Sequence, residues 1–164
     1  MQISVRPAVS EDIQTIVALY GPMEAEQTVR KPVWALADAL DQPYEASLDA
    51  ALNASDSWLY VGLIDDATVG FLWVTIESML ERAHGERIGR IRLIYTMPEA
   101  RGVGVGDAML DVALTGLREL GIRYFDAPVG PGQRVTKNFF EGHGFAARSI
   151  VMHHADAAGE VSDD

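Results

Sequence analysis

The feature of this sequence that most constrains its fold is a run of three glycines, each two residues from the next, between a strand-like segment and an amphipathic helix. The glycines are Gly102, Gly104 and Gly106. Residues 90–96 are rich in β-branched and aromatic side chains, whereas residues 107–120 carry apolar side chains at helical spacing. The glycines therefore open a helix, where free backbone N–H groups and the helix dipole favour an anion. The sequence predicts a site for a phosphate or pyrophosphate group.

The residues after the glycines limit which kind of phosphate-binding loop this is. A Walker A loop would end in Gly-Lys-Ser or Gly-Lys-Thr, but Gly106 is followed by Asp107 and Ala108. A dinucleotide-binding G-x-G-x-x-G read from Gly102 lacks its last glycine, although Asp126 lies where that fold places its ribose-binding acid. Three interpretations remain: a dinucleotide site, a glycine turn with a purely structural role, and a phosphate-binding loop of another class.

The same stretch resembles the signature of the GNAT superfamily, the acyl-CoA-dependent N-acyltransferases: Arg or Gln, two residues, Gly, one residue, then Gly or Ala. Arg101, Gly104 and Gly106 occupy its fixed positions. Residues 93–99 are similar to the fourth strand of that family, and residues 139–145 are similar to its late helix, which ends in Gly-Phe.

The resemblance covers residues 57–154 well and the first fifty in outline, and it implies an α/β (α+β) fold. We expect a GNAT-like mixed, mostly antiparallel central sheet with one parallel βαβ crossover and flanking helices. With 164 residues and 48% hydrophobic content, the chain can bury one core. We therefore expect a single N-acetyltransferase domain over residues 1–154 and a disordered acidic tail over residues 155–164.

Apolar periodicity and turn signals predict the individual elements. Strands are predicted at residues 3–8, 57–64, 68–78, 88–97, 122–127 and 145–154. Helices are predicted at residues 10–19, 33–40, from 43 onwards, 105–120 and 133–141, the first of them ending at Gly21-Pro22. In the helix at 105–120 we expect the sheet-facing side chains to be Val105, Met109, Val112, Ala113, Leu117 and Leu120.

By the resemblance, acetyl-CoA lies in a cleft where the fourth and fifth strands splay apart. Ile94 and Thr96 would then meet the pantetheine, and residues 101–107 would meet the pyrophosphate. Gln133 matches a family asparagine, and Phe140 matches the tyrosine that protonates the leaving thiolate, which phenylalanine cannot do. The cofactor-binding residues implied in this way are Ile94, Tyr95, Thr96, Arg101, Gly102, Val103, Gly104, Val105, Gly106, Asp107, Gln133 and Phe139.

An amine acceptor must lose a proton before it attacks a thioester, so a base or a water chain is needed. Arg90 stands where many relatives carry a glutamate, and Glu77 is the substitute candidate because strand alternation places it on one face with Trp73 and Thr75. A salt bridge at a hairpin end is the simpler account of Glu77. Arg90 and Arg92 share a face and would suit a carboxylate on the acceptor, or would pair with nearby glutamates.

Composition excludes several other classes of function. There are 24 acidic and 13 basic residues, a formal net charge of −11, which argues against a nucleic-acid partner and favours cationic or neutral acceptors. Cysteine is absent, so a disulfide, a thiolate metal site and a cysteine nucleophile are excluded. The four histidines are not spaced as a metal site, and no G-x-S-x-G elbow occurs. No signal peptide or membrane-spanning run is evident, so we expect a cytoplasmic protein without a membrane partner.

The expected function is the transfer of an acetyl group from acetyl-CoA, without a metal, to a small-molecule or peptide primary amine by direct attack. The alternative is a non-catalytic acyl-CoA-binding module of the same fold. A homodimer is compatible with the sequence. The family's acceptor region corresponds to residues 23–42, so Arg30, Lys31 and Trp34 are candidate acceptor contacts, although a core tryptophan and two solvated cations are the simpler explanation.

Overall fold

Five strands form one mixed sheet in this computed structural model, which describes residues 1–30, 33–34 and 38–156. In spatial order the strands are β1 (Ile3–Pro7), β2 (Ser57–Ile64), β3 (Ala67–Ser78), β4 (Arg87–Thr96) and β5 (Tyr124–Asp126). The first four are antiparallel and β4 pairs with β5 in parallel. The longer helices are α1 (Ile13–Arg30), α2 (Tyr44–Asn53), α3 (Val105–Glu119) and α4 (Arg134–Gly142). The predicted fold class is confirmed.

Helices cover both faces of the sheet, and each face has its own apolar core. Side chains alternate along β3, so that Phe71 packs in the core beneath α1 and α2, whereas Leu72 and Val74 pack in the core beneath α3. We refer to the two sides of the sheet as the α1 face and the α3 face. The crossover from β4 through α3 to β5 therefore places α3 against the strands that carry the site.

The sequence-predicted end of α1 is wrong, because the helix continues through Gly21-Pro22 to Arg30. A proline inside a helix costs about 3 kcal/mol because it removes a backbone hydrogen bond. Here the turns beyond the proline are packed, with Met23 only 5% exposed in the core beneath α1. Tertiary packing offsets the local signal to stop.

The region after α1 is described only in part. Trp34 is 7% exposed in the α1-face core, so its core explanation holds, and Arg30 forms an ion pair with Glu26. The Asp38 backbone N–H donates to the Trp34 carbonyl, as in a helical turn. Three sets of residues named in the predictions lie outside the described residues: Lys31, residues 35–37 of the helix predicted at 33–40, and all but the first two residues of the predicted acidic tail.

The strand predicted at residues 145–154 is wrong: this segment is neither strand nor helix, and Ile150 and Val151 are 83% and 88% exposed. β-branched residues favour a strand only where a neighbouring strand completes the ladder. β5 has only three residues and offers a short edge. The segment contacts that strand through side chains instead, Arg148 Nε donating to the Asp126 carboxylate at 2.7 Å.

The buried face of α3 differs slightly from the predicted one. Val112 and Leu120 are 39% and 49% exposed, whereas Leu110 and Leu114 are buried. Val112 lies at the edge of the apolar stripe, and Leu120 follows the last helical residue. The stripe is therefore rotated by part of a turn relative to the prediction.

Close packing of α3 on the sheet requires glycine at position 62 of β2. A Cβ added to Gly62 would lie 2.7 Å from Val105 Cγ1 and 2.9 Å from Met109 Sδ. The helix thus rests directly on the strand backbone.

We expect Gly62→Ala to lower the free energy of unfolding by about 1–3 kcal/mol, because the new methyl group overpacks the interface with α3. Gly142→Ala is the matched control, since a Cβ there, in the last turn of α4, has no neighbour within 4 Å. Urea denaturation measures both. Equal effects of the two substitutions would contradict the packing argument.

Candidate functional site

The pairing between β4 and β5 ends after only three residue pairs, and we call the region beyond them the cleft. The pairs are Ile88 with Tyr124, Gly89 with Phe125, and Arg90 with Asp126. β5 ends there, whereas β4 continues for six residues to Thr96. On the other side of β4 the register with β3 shifts between Trp73 and Val74, so that Arg92 is the extra residue of a β-bulge. Beyond Arg90, the β5-facing backbone groups of β4 have no strand partner within the described part of the chain.

The glycine loop joins the open end of β4 to α3. Gly102 and Gly104 have φ angles of +79° and +99°, which glycine adopts without steric cost. The first backbone bond of α3 runs from the Ala108 N–H to the Gly104 carbonyl at 3.0 Å. The N–H groups of residues 105–107 therefore have no partner inside the helix and can bind an anion.

Three elements that the sequence implicated meet at Gly106. A Cβ added there would lie 3.4 Å from the Phe139 ring of α4 and 3.9 Å from Thr96 Oγ1 at the end of β4. Asp107 Oδ1, in the first turn of α3, lies 3.3 Å from His143 Nε2. The loop, the end of β4 and α4 thus converge on one mouth of the cleft.

Arg101 makes contacts on the α1 side of the loop. Its Nε donates to the Thr96 carbonyl at 2.9 Å, and its terminal nitrogens donate to the Glu26 carboxylate at 3.0 and 3.3 Å. The guanidinium also lies 5.3 Å from the centre of the Tyr95 ring. Hydrogen bonding from Arg101 lowers the pKa of Glu26, so this carboxylate stays ionised at neutral pH.

Gln133 is tied to α1 as well. It is 6% exposed, its Oε1 accepts from the Gly130 N–H at 2.9 Å, and its Nε2 donates to Gln27. The last two turns of α1 therefore contact both the glycine loop and the start of α4. Nothing in the sequence pattern pointed to Glu26 or Gln27, because the helix was expected to end earlier.

Several predicted site residues have side chains in the cores. Tyr95 is 7% exposed among the α1-face residues, 6.3 Å from Phe71 between ring centres, and burial raises the pKa of its phenol. Phe140 is 4% exposed between Phe139 and Phe145, with ring centres 5.2 Å apart in both pairs. Only the backbone of position 95 can face the cleft.

The side chains of the glycine loop and of β4 likewise divide into buried and exposed ones. Val105 is 1% exposed in the α3-face core, whereas Val103 is 39% exposed at the loop tip. Ile94 is a partly buried neighbour of the α3-face core. The loop therefore offers backbone N–H groups, and β4 offers the edge of its backbone.

Glu77 lies near the end of β3, in an ion pair. Its Oε1 is 3.4 Å from an Arg92 nitrogen, and the Arg92 guanidinium lies 5.2 Å from the centre of the Trp73 ring. The Glu77 side chain is 42% exposed. The salt bridge that the sequence offered as the simpler account is thus present.

Two wider properties concern only the described residues. No cluster of three or more histidine, cysteine, aspartate or glutamate side chains there could hold a metal ion. Among the helices described, none has both the length and the apolar character needed to cross a bilayer.

Comparison with known proteins gives consistent results. The profile of the Acetyltransferase (GNAT) family matches residues 23–145. Mycothiol acetyltransferase of Cellulomonas flavigena is 28% identical over 128 residues, which are 73% of this chain and 37% of that protein, so the chain spans little more than a third of its length. A Bacillus subtilis protein named as a candidate phosphinothricin acetyltransferase is 26% identical over 162 residues, 98% of this chain and 94% of the other.

A solved structure agrees in fold. The crystal structure of a Clostridium acetobutylicum protein, classed as a predicted acetyltransferase and containing acetyl-CoA, superposes with a TM-score of 0.74. The two chains are 15% identical, and the match covers 94% of this chain and 96% of the other.

Proposed function

Because the chain belongs to the GNAT family of acetyltransferases, we propose that it transfers the acetyl group of acetyl-CoA to a primary amine of a small molecule. The amine nitrogen attacks the thioester carbonyl, the carbon–sulfur bond breaks, and CoA leaves as the thiolate while the nitrogen loses a proton. The observation that carries this proposal is the cleft between β4 and β5, whose mouth is the glycine loop.

The residues present fit CoA. The N–H groups at positions 105–107, unpaired within α3, would hold the pyrophosphate. The β4 backbone at Ile94 and Thr96, which has no partner in β5, would pair with the pantetheine amides, although the Thr96 carbonyl also accepts from Arg101. Gly106 keeps the floor of the loop open beside Phe139. Acetyl-CoA supplies the activated acyl group, and the chain supplies binding and orientation.

Proton transfer is the part for which this chain has the fewest groups. We keep Glu77 as the proposed base; its carboxylate is accessible to water, through which a proton from the amine could pass. Phe140 is unable to protonate the leaving sulfur. A thiol has a pKa of about 8.5, so a thiolate is a tolerable leaving group without an acid. We therefore propose that positioning contributes more here than acid–base assistance.

The relatives' names support a small-molecule acceptor. They name mycothiol and phosphinothricin acetyltransferases. Since the chain spans only 37% of the mycothiol enzyme, that whole protein's activity is not transferred to this one. What we infer from both names is a soluble amine of low molecular mass.

The test of this function is thiol release from acetyl-CoA across a library of amines, measured against hydrolysis without an acceptor. We expect release above background with a subset of amines, and an acetylated product by mass spectrometry. Binding of acetyl-CoA without release for any amine would favour the non-catalytic binding module. Absence of both binding and release would refute the proposal.

We expect Gly104→Val to weaken CoA binding at least about 30-fold, or roughly 2 kcal/mol, because several charge-assisted bonds to the loop are lost together. A branched side chain strains the positive φ at this position and stiffens the turn. Gly121→Val is the matched control, since Gly121 has φ +79° and no neighbour near an added Cβ, but follows the far end of α3. Calorimetry with CoA should show normal affinity for that control. Equal losses in both variants would remove the loop from the site.

We expect Glu26→Gln to tighten CoA binding about 2–5-fold, because it removes a negative charge beside the loop and releases Arg101 from its ion pair. Glu24→Gln is the control: Glu24 lies on the same helix but accepts from the Tyr44 hydroxyl instead. The gain should shrink as salt is raised. Weaker binding in Glu26→Gln would show that the carboxylate positions the loop rather than competing for it.

A further inference from the structure

We propose that the acceptor carries a carboxylate beside its amine, and that Arg90 and Thr75 bind this carboxylate at the apex of the cleft. This inference rests on the proposed acetyl transfer and specifies its second substrate. It concerns the last paired position of β4, where the strand parts from β5.

Arg90 is a partly buried cation that has no counter-ion among the described residues. Its guanidinium makes no hydrogen bond or ion pair with any residue that the structure describes, in a chain of net charge −11. Six other arginines each pair with a carboxylate, namely Arg6, Arg30, Arg92, Arg101, Arg123 and Arg148. Arg82, Arg87, Arg118 and Arg134 also lack a carboxylate partner among the described residues, but all four are exposed, whereas Arg90 is partly buried.

Thr75 is the cross-strand partner of Arg90 on β3. Side chains of such a pair share one face, with Cβ atoms about 4.5–5.5 Å apart. Thr75 Oγ1 is buried and has no hydrogen-bond partner within the described residues. Buried hydroxyls in native proteins are almost always paired, so an unpaired one calls for an explanation. Because Oγ1 is closed to solvent in this structure, a ligand oxygen held by Arg90 would supply the missing partner once the neighbouring side chains shift to admit it.

The charged side chains next to Arg90 already have ion-pair partners. Arg92, which lies on the same face of β4, is paired with Glu77. Asp126, the β5 neighbour of Arg90, accepts from Arg148 and forms no ion pair with Arg90. A single anion with two oxygens could accept from both the Arg90 guanidinium and the Thr75 hydroxyl.

A carboxylate fits that description. The planar guanidinium offers two parallel N–H groups to a carboxylate, and a free hydroxyl can donate a further bond. Arg90 is the last β4 residue paired with β5, so a carboxylate there places an adjacent amine in the cleft. The cleft is where the unpaired β4 edge would position the thioester.

The experiment compares matched acceptors that differ only at the carboxyl group. The sets are an L-amino acid, its amide and its decarboxylated amine, prepared for tyrosine, tryptophan, histidine and lysine. Thiol release gives kcat/KM for each compound, and calorimetry on the enzyme with CoA gives binding without turnover. We expect at least one amino acid to be preferred about 10–100-fold over its amide and its amine, the effect of hydrogen bonds to a charged group.

Two variants test the assignment, with a third as control. Arg90→Gln should abolish the preference by weakening the amino acid alone. Thr75→Val should lower amino-acid affinity while raising the melting temperature of the free protein, because it removes an unpaired buried hydroxyl. Arg87→Gln removes the same charge from an exposed position at the start of β4. It should change neither the preference for the carboxylate nor the melting temperature.

The outcomes separate this inference from the proposed function. Turnover of amines with no preference for the carboxylate, or an equal loss for amino acid and amine in Arg90→Gln, overturns the inference and leaves acetyl transfer standing. Arg90-dependent binding of amino acids without thiol release supports the inference and refutes transfer. No binding and no release with any compound refutes both.

Discussion

The parting of β4 and β5 after three residue pairs is the constraint on which the rest of the site depends. In a continuous sheet the edge of β4 would be satisfied by its neighbour, since backbone N–H and C=O groups must be paired when buried. Here β5 ends at Asp126 and the bulge at Arg92 bends β4, so that edge has no strand partner among the described residues. The glycine loop follows directly from β4, and the divergence that opens the cleft therefore also places the helix amino terminus at its mouth.

α1 links the stability of the domain to the state of the site. Its buried residues belong to the core on one face of the sheet, while Glu26 and Gln27 engage Arg101 and Gln133. A substitution that loosens the end of this helix would thus alter two parts of the cleft together. The same residues explain how a helix with an internal proline persists, because contacts made beyond Pro22 hold it in place.

The sequence was informative where structure is decided locally. The hairpin between β2 and β3 turns at Asp65 and Asp66, whose φ angles of 46° and 68° suit a tight turn, and the glycine loop combines positive φ with a helix start. The end of α1 and the status of residues 145–154 depend on distant partners instead. Strand propensity cannot reveal that β5 is too short to pair with that segment. Likewise, the family resemblance placed Tyr95 among the cofactor-binding residues, but only the fold shows that its ring lies in the α1-face core.

The two departures from the family pattern, at positions 90 and 140, both concern proton transfer. Arg90 and Phe140 stand where the resemblance implied a glutamate base and a tyrosine acid, so neither position can transfer a proton at neutral pH. The carboxylate of an amino acid raises the pKa of its own amine, because a nearby negative charge favours the ammonium form. Pairing that carboxylate with Arg90 would cancel the effect and move the amine towards the value of about 7.7–8.0 typical of an α-amino group. An arginine at this position would then lower the need for a base by making more of the acceptor neutral, which is part of what a glutamate would otherwise provide.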